Sequence, residues 1–454
     1  MYNNCMNSDC HELIILNIQN IFKNKDMTSI ELRKILSSFF TPSTLEKNVN
    51  GEIATSIKLV DEMLDCLGTD FWKTPKPVLE PCCGKANFVL GIFDRFYDGL
   101  EYIYPNKVER CRIIMTECIF FTDLSEINVF ITVQIMKYKI LQLCGILPLY
   151  KFNKNIGDSL ILDVSHIWDI NLNLFNVIGN PPYSTNSTEQ SPIPLYNKFI
   201  TKFIEADKLL FVTASRWFVG GKGLDNFRSF MLKRTDIVFI HHEPNYKSKG
   251  WFESDVNIEG GVSYFLKDTD YNGECLFNDL PYNLSKYDCI INPIHHNLID
   301  IIKNKKSIDS IYCSTSYYGY STNDARCKKT GLIKCYVSLQ KSKDRIMFVD
   351  EPIKEADIFW KVITARANGK SPRFGAIFIG KPDEVYTSSY ISFKVNSELE
   401  ANSLLSYLKT DIINHLLSIR KISQDISKKT CLWIPLVPFD RIWSNDSVCE
   451  YLQL

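Results

Sequence analysis

The stretch Asn180-Pro181-Pro182-Tyr183 ends an apolar run, "FNVIG", and sets an amide, two prolines and an aromatic ring in consecutive positions. The Asn180 side chain offers a carbonyl oxygen. Pro181 offers a backbone carbonyl held in a fixed direction, because the prolines lock φ and restrict the residues before them. Two acceptors side by side suit an exocyclic NH2 group, which has two protons to donate. Accepting both pulls the nitrogen away from conjugation and exposes its lone pair, so a nucleobase amine or an amide becomes a nucleophile. Tyr183 gives the ring a flat face to stack on. A rigid loop that merely ends a strand would read the same way if this stretch stood alone.

Three carboxylates precede it in order. "VLEPCCGKANF", Val78 to Phe88, places Glu80 and then Gly84 after an apolar run, where backbone can approach a ligand and a carboxylate can pair with a cationic group. "FFTDLSEIN" places Asp123 at the next such end, positioned to accept from both ribose hydroxyls of an adenosine-containing cofactor. Asp158, in "IGDSL", is the third. Each singly could be a solvated turn residue; together they form a pattern.

The elements that must carry these tips follow an α/β rhythm from Val78 onward. "PVLEPCCG", "RIIMTECIFFTD", "FNVIGNPPY" and "KLLFVTASRW" read as strands, with helical patterns such as "NVFITVQIMKYKILQLC" and "PLYNKFITKFIEAD" between them. That alternation predicts a mostly parallel sheet whose ligands sit beyond the carboxyl ends of its strands. The first 40 or so residues read as one or two short amphipathic helices. After about residue 300 the rhythm gives way to segments rich in Ser, Thr, Gly, Tyr and basic residues, then a helical stretch from Ser397 to Lys421. A domain boundary is expected near 285 to 300.

Composition narrows the class. The chain has 454 residues, 45% of them hydrophobic, enough for two or three domains with real cores. Formal charge is zero overall, but residues 301 to 430 hold 22 Lys plus Arg against 13 Asp plus Glu, a surplus of nine. The 15 cysteines are scattered and odd in number, which reads as reduced thiols, and no two pairs have zinc-ligand spacing, so no metal is expected. No apolar stretch approaches the ~18 residues of a membrane span, and no secretory signal is evident. A soluble cytoplasmic protein is expected, or one of the nucleus or a viral factory if the source is eukaryotic or viral.

In this order the motifs resemble those of the N6-adenine DNA methyltransferases of gamma arrangement, as found in type II restriction-modification methylases and their viral relatives. The resemblance covers most of the chain. It implies a Rossmann-like class I domain with a mostly parallel seven-stranded sheet, dependent on S-adenosylmethionine, followed by a C-terminal α+β target-recognition domain. The expected division is an N-terminal helical extension over 1–45, the catalytic domain over 46–290 and target recognition over 291–454. "GEIATSIKLVDEML", Gly51 to Leu64, resembles the segment covering the methionine part of the cofactor, with Thr55 matching and Ser56 in place of a proline. "EPCCGKANF" resembles the cofactor loop and assigns cofactor contacts to Glu80, Pro81, Gly84, Asn87 and Phe88. "TDLSEINVFI" assigns the ribose to Asp123 with Leu124, and "GDSL" assigns the cofactor's adenine to Asp158 with Ser159. "NPPY" is the catalytic signature, giving Asn180, Pro181, Pro182 and Tyr183. "ASRWFVGGKG" and "IEGGVSYFL" resemble later catalytic-domain segments, the second placing Tyr264 or Phe265 near a flipped base. The C-terminal segments from "EANSLLSYLKT" to "WSNDSVCEYL" resemble the closing part of those methylases.

One departure bears on the fold of the cofactor loop: its second glycine is Ala86, and if that position needs φ > 0 an Ala there costs on the order of 1 kcal/mol. The basic surplus fits phosphate contacts and groove readout of double-stranded DNA by Lys328, Lys329, Lys341, Lys343, Arg345, Arg366, Lys370 and Arg373. A solvated face is the plainer reading of each of them. A partner restriction endonuclease would be a separate chain, since the segment before Gly51 is too short to fold as one, and a monomer is expected. The rival readings are an RNA-adenine or protein-glutamine methyltransferase, and a DNA-binding homologue impaired in catalysis.

Overall fold

The computed structural model describes residues 8–23, 28–39, 53–185, 193–221, 223–252, 257–258, 260–369, 371–421 and 424–454. The chain forms two compact units, Met1–Asp288 and Cys289–Leu454.

The first unit is built on a nine-stranded sheet. Its strands are β1 (Val78–Glu80), β2 (Ile119–Asp123), β3 (Asn153–Ile156), β4 (Asn176–Gly179), β7 (Lys208–Ala214), β8 (Ile237–Glu243), β9 (Val262–Asp268), β10 (Cys275–Phe277) and β11 (Leu280–Tyr282); β5 (Ser184–Thr185) and β6 (Ile193–Pro194) form a small separate hairpin. The order is β11-β10-β8-β9-β7-β4-β1-β2-β3. From β3 to β7 all pairs are parallel, and β9 runs antiparallel between β7 and β8. This is the doubly wound arrangement, with the chain reversing direction at β1 and β4, where ligands of such sheets lie. The expected seven strands are present; the sheet extends beyond them through the β10–β11 hairpin, whose turn residues Asn278 and Asp279 have φ 47° and 66°. Two consecutive positive φ values are what a tight hairpin requires, and Asn-Asp tolerates them.

Helices cover both faces. They are α1 (Ser8–Phe22), α2 (Ser29–Phe39), α3 (Ile57–Asp65), α4 (Asn87–Gly99), α5 (Lys107–Ile113), α6 (Glu126–Cys144), α7 (Tyr196–Phe203) and α8 (Asp225–Leu232). The central strands bury every residue, as "VLE" and "NVIG" do, which is why they read as unbroken apolar runs rather than alternating ones. α1 packs on α6, where His11 stacks on Phe130 at 4.1 Å between ring centres, and α2 packs on α3 and α4. The N-terminal helices thus share the core of this unit, contributing Ile14, Ile18, Leu32 and Leu36.

The second unit is α+β. One sheet has the order β12-β18-β15-β16, from β12 (Tyr312–Cys313), β15 (Trp360–Ala365), β16 (Ile377–Gly380) and β18 (Tyr390–Val395); a second joins β14 (Ile346–Val349), β13 (Ile333–Tyr336) and β17 (Val385–Tyr386). Helices α9 (Glu398–Lys409), α10 (Asp411–Arg420) and α11 (Asn445–Leu452) follow, with α9 against β15 and β16. Its core is rich in tyrosine, including Tyr336, Tyr386 and Tyr390. Among the described residues, no helix is long and apolar enough to cross a membrane.

Candidate active site

The carboxyl ends of β1, β2, β3 and β4 meet at one edge of the sheet, and hydrogen bonds join the loops that leave them. Glu80, the last residue of β1, is 1% exposed; its Oε1 accepts from the Cys82 amide at 3.1 Å, while its Oε2 is buried without a donor. Burial pushes the Glu80 carboxyl well above the ordinary range, with the nearby Asp123 adding to the shift. Gly179 is small for this reason, because a Cβ there would lie 2.2 Å from Glu80 Oε1.

The loop after β1 is fixed by its neighbours. Cys83 donates to the Thr122 carbonyl at 2.9 Å, and the Gly84 amide donates to Asp123 Oδ2 at 2.9 Å. Asp123 Oδ1 accepts from the Ser125 amide at 2.8 Å and from Asn128 at 3.3 Å. Burial raises the Asp123 carboxyl, and these donors act against the rise. With roughly two acceptor sites per oxygen, Oδ1 is filled and Oδ2 keeps one. Ser159, 4% exposed, donates to the Pro81 carbonyl at 2.5 Å, so it braces the loop. Asp158 is exposed and caps its own turn at the Leu160 amide, 2.9 Å away.

Ala86 has φ 72° and ψ 10°, the left-handed conformation in which a Cβ is strained, and directly precedes α4. The residue is nevertheless 0% exposed within the apolar core, so its methyl group stands in packing and not in the path of a ligand. Ala86→Gly should therefore leave cofactor affinity within about threefold. Stability should shift by no more than about 1 kcal/mol, since relief of the strained backbone is offset by the freer unfolded chain. Calorimetric titration and thermal unfolding check both; a tenfold gain in affinity would show that the methyl does obstruct. Ser56, the other departure, caps α3: its side chain accepts from the Leu59 amide at 3.3 Å, a role a proline could not fill.

Asn180 follows β4. Its amide nitrogen donates to Thr55 Oγ1 at 2.9 Å and to the Ile53 carbonyl at 3.3 Å, and its Oδ1 is buried with no partner. The Thr55 carbonyl in turn accepts from Asn87 at 2.8 Å, and Asn87 also reaches Ser37 on α2 at 3.3 Å. Tyr183 is 8% exposed and lies edge-on to two rings, Tyr196 and Phe252, each 6.4 Å away. Burial holds its hydroxyl well above the usual range.

Hydrogen bonds thereby join these residues in separate groups along the strand ends: Asn180 with Thr55 and Asn87, Gly84 with Asp123, and Ser159 with Pro81, while Glu80 holds the Cys82 amide of its own loop. The others lie differently. Phe88 is a core residue of α4 at 5% exposure, and Leu124 stands out at 69%. Phe265 is wholly buried, and Tyr264 donates its hydroxyl to Glu62 Oε1 at 3.0 Å and stacks on His241. Of the two rings beside Tyr183, Phe252 also pairs with Thr55 in an isolated bridge. Sequence reasoning passed over Phe252; its signal is the aromatic pair Trp251-Phe252 in an otherwise polar stretch.

In the second unit several of the expected phosphate contacts meet acids. Lys328 lies 3.7 Å from Asp350 and Arg366 lies 3.5 Å from Asp425, Arg373 pairs with Asp411, and Lys341 donates to the Asp324 carbonyl. Arg345 sits beside Tyr390, and Lys329 and Lys343 are exposed; Lys370 lies outside the described residues. Exposed pairs of this kind hold weakly and can exchange for phosphate. Among the described residues, the group of acids within metal-ligand reach is Asp207, Asp268 and Asp270. It lies at the amino end of β7, away from the strand ends above, and Asp268 is paired with Lys208.

Comparisons with known proteins point to restriction-modification methylases. Residues 118–248 match the Eco57I restriction-modification methylase family. An uncharacterized adenine-specific methylase of Mycoplasma pneumoniae is 23% identical over 297 aligned residues, covering 50% of this chain and 70% of that one. Among solved structures, the Type IIL restriction-modification enzyme MmeI in complex with DNA superposes with a TM-score of 0.50 at 12% identity, over 88% of this chain and 70% of that one. A DrdV–DNA complex gives 0.54 at 12% identity, over 91% of this chain and 59% of that one. At such identities the structural likeness speaks for the fold. The family match falls on the segment running from β2 through the Asn180–Tyr183 loop and β8, and over that segment the chain is similar to the restriction-modification methylases.

Proposed function

We propose that the protein transfers a methyl group from S-adenosylmethionine to N6 of an adenine turned out of double-stranded DNA, at a specific sequence. The observation that carries this reading is the Asn180 amide, whose nitrogen is fully engaged while its oxygen is buried and unpartnered. A buried acceptor without a donor costs about 1–3 kcal/mol, so its natural complement is a ligand N–H.

S-adenosylmethionine supplies an electrophilic methyl group when bound. The residues present fit it: the orphaned Glu80 Oε2 is matched to a cationic ammonium, and Asp123 Oδ2 has one acceptor site left for a ribose hydroxyl. Gripping both hydroxyls would compete with Ser125 and Asn128, so a single hydroxyl is the better match. Asp158 would meet the cofactor's adenine from its turn. Asn180 Oδ1 and the Pro181 carbonyl would accept the two protons of the target amino group and aim its lone pair, while Tyr183, with Phe252 beside it, forms the aromatic wall for the base. The rate comes from orientation and fixed dipoles, and no strong base is required because the methylated nitrogen sheds its proton readily. The basic second unit provides for phosphate contacts.

Incubation with radiolabelled S-adenosylmethionine and, side by side, duplex DNA, RNA and protein tests the reading. Label is expected in N6-methyladenine of duplex DNA. Transfer to RNA or protein alone would overturn it, and absence of cofactor binding at millimolar concentration would mark an impaired homologue.

A further inference from the structure

We infer that Thr55 is a positioning residue for Asn180, setting the direction of its amide for methyl transfer, and is not primarily a cofactor contact. The inference rests on the proposed methyl transfer to an amino group. A side-chain amide has two ends of similar shape, and catalysis by the proposed route needs the oxygen end outward. The Ile53 carbonyl decides which end faces inward, and the Thr55 hydroxyl, which can accept from the nitrogen or donate to the oxygen, holds the amide at that place. The Ile53 carbonyl is an acceptor only, so it takes a proton from the nitrogen at 3.3 Å and would repel the oxygen. That contact is long. The shorter one, 2.9 Å, is to Thr55 Oγ1, which lies on the second N–H of the same nitrogen. With both protons taken, the oxygen is left free in a buried position.

Thr55 is itself held. It is 5% exposed, its carbonyl accepts from Asn87 at 2.8 Å, it bridges to Phe252, and the next residue donates from its amide to the Trp251 carbonyl at 2.9 Å. Asn87 spends its amide group on Thr55 and Ser37, within the protein. A chain of hydrogen bonds therefore runs from α2 through Asn87 and Thr55 to Asn180, ending at the one atom left open.

The test compares Thr55→Val, which keeps the shape and loses the hydroxyl, with Thr55→Ser, which keeps the hydroxyl. Turnover at saturating S-adenosylmethionine on duplex DNA should fall about tenfold in Thr55→Val, the equivalent of one hydrogen bond, and return to within about twofold of wild type in Thr55→Ser. Cofactor Kd by calorimetry should stay within about twofold in both. In addition, the Asn180 side-chain amide protons, followed by NMR, should exchange slowly in wild type and Thr55→Ser and quickly in Thr55→Val. A Thr55→Val enzyme with unchanged turnover and weakened cofactor binding, or with unchanged Asn180 exchange, would overturn the inference. Should the wild-type protein methylate no DNA, the proposed function fails, while the exchange measurement still decides whether Thr55 holds Asn180.

Discussion

Asn180→Ala should lower methyl transfer to adenine by about a hundred- to a thousand-fold, with cofactor affinity and thermal unfolding close to those of wild type. The size follows from what the side chain offers: one preorganised acceptor, aimed at a group that gains positive charge as it reacts, in a site shielded from water. Removing a single such dipole from other active sites has an effect of that order. The fold should tolerate the change because Asn180 lies in a loop after β4 and is half-buried, its oxygen has no partner to lose, and the two bonds lost from its nitrogen, to Thr55 and Ile53, lie outside the strands of the core. Asn180→Asp sharpens the test. The carboxylate cannot donate to the Ile53 carbonyl, so at least one contact turns repulsive and the side chain should swing away. Activity in the Asp variant should be no higher than in Ala, despite its greater resemblance in shape. Single-turnover transfer of labelled methyl groups measures both, and retention of activity within threefold in either variant would sink the role given to this residue.

The chemistry was legible where a polar residue ends a buried strand. Glu80, Asp123 and Asn180 each close an apolar run, and a parallel sheet brings such ends together whatever the intervening chain does. The conditional reading of Ala86 was decided by its φ of 72°, a backbone fact that no residue type announces. Side-chain partnerships were less legible because they join distant positions. Asn180 finds Thr55, Tyr183 finds Phe252, and Arg373 finds Asp411, each through tertiary contacts without any local pattern. Ser159 illustrates the same limit: assigned to the cofactor with Asp158 by resemblance, it spends its hydroxyl on the Pro81 carbonyl. The β10–β11 hairpin did carry a signal, Asn278-Asp279 between short apolar runs, weak because the strands have only three residues each.

Lys361→Met should destabilise the second unit by roughly 2 kcal/mol near neutral pH, and by more as the pH rises toward 10. Lys361 lies in β15, flanked by β18 and β16, and is 0% exposed. Its ammonium donates to the Lys381 and Glu384 carbonyls, both at 2.7 Å, tying down the turn between β16 and β17, with the Phe359 and Tyr318 rings 5.3 and 5.6 Å away. Methionine fills most of the volume but removes the ammonium from the buried Glu384 carbonyl, while the Lys381 carbonyl keeps the Glu384 amide at 3.1 Å. Burial lowers the Lys361 pKa to about 8 from an unfolded value near 10.5. Between those values the unfolded chain binds more protons than the folded one, so this group adds stability as pH rises through the window. Below about pH 8 both states are charged and its contribution is constant. The buried tyrosines of this unit, Tyr318 and Tyr386 among them, have raised values and act in the opposite sense above about pH 10, but they do so in both proteins and cancel in the difference. Urea denaturation of wild type and variant at pH 7.5 and 9.5 gives that difference directly. A gap between the two proteins that stays constant or narrows at the higher pH would show that Lys361 is not a desolvated ammonium held by its two carbonyls.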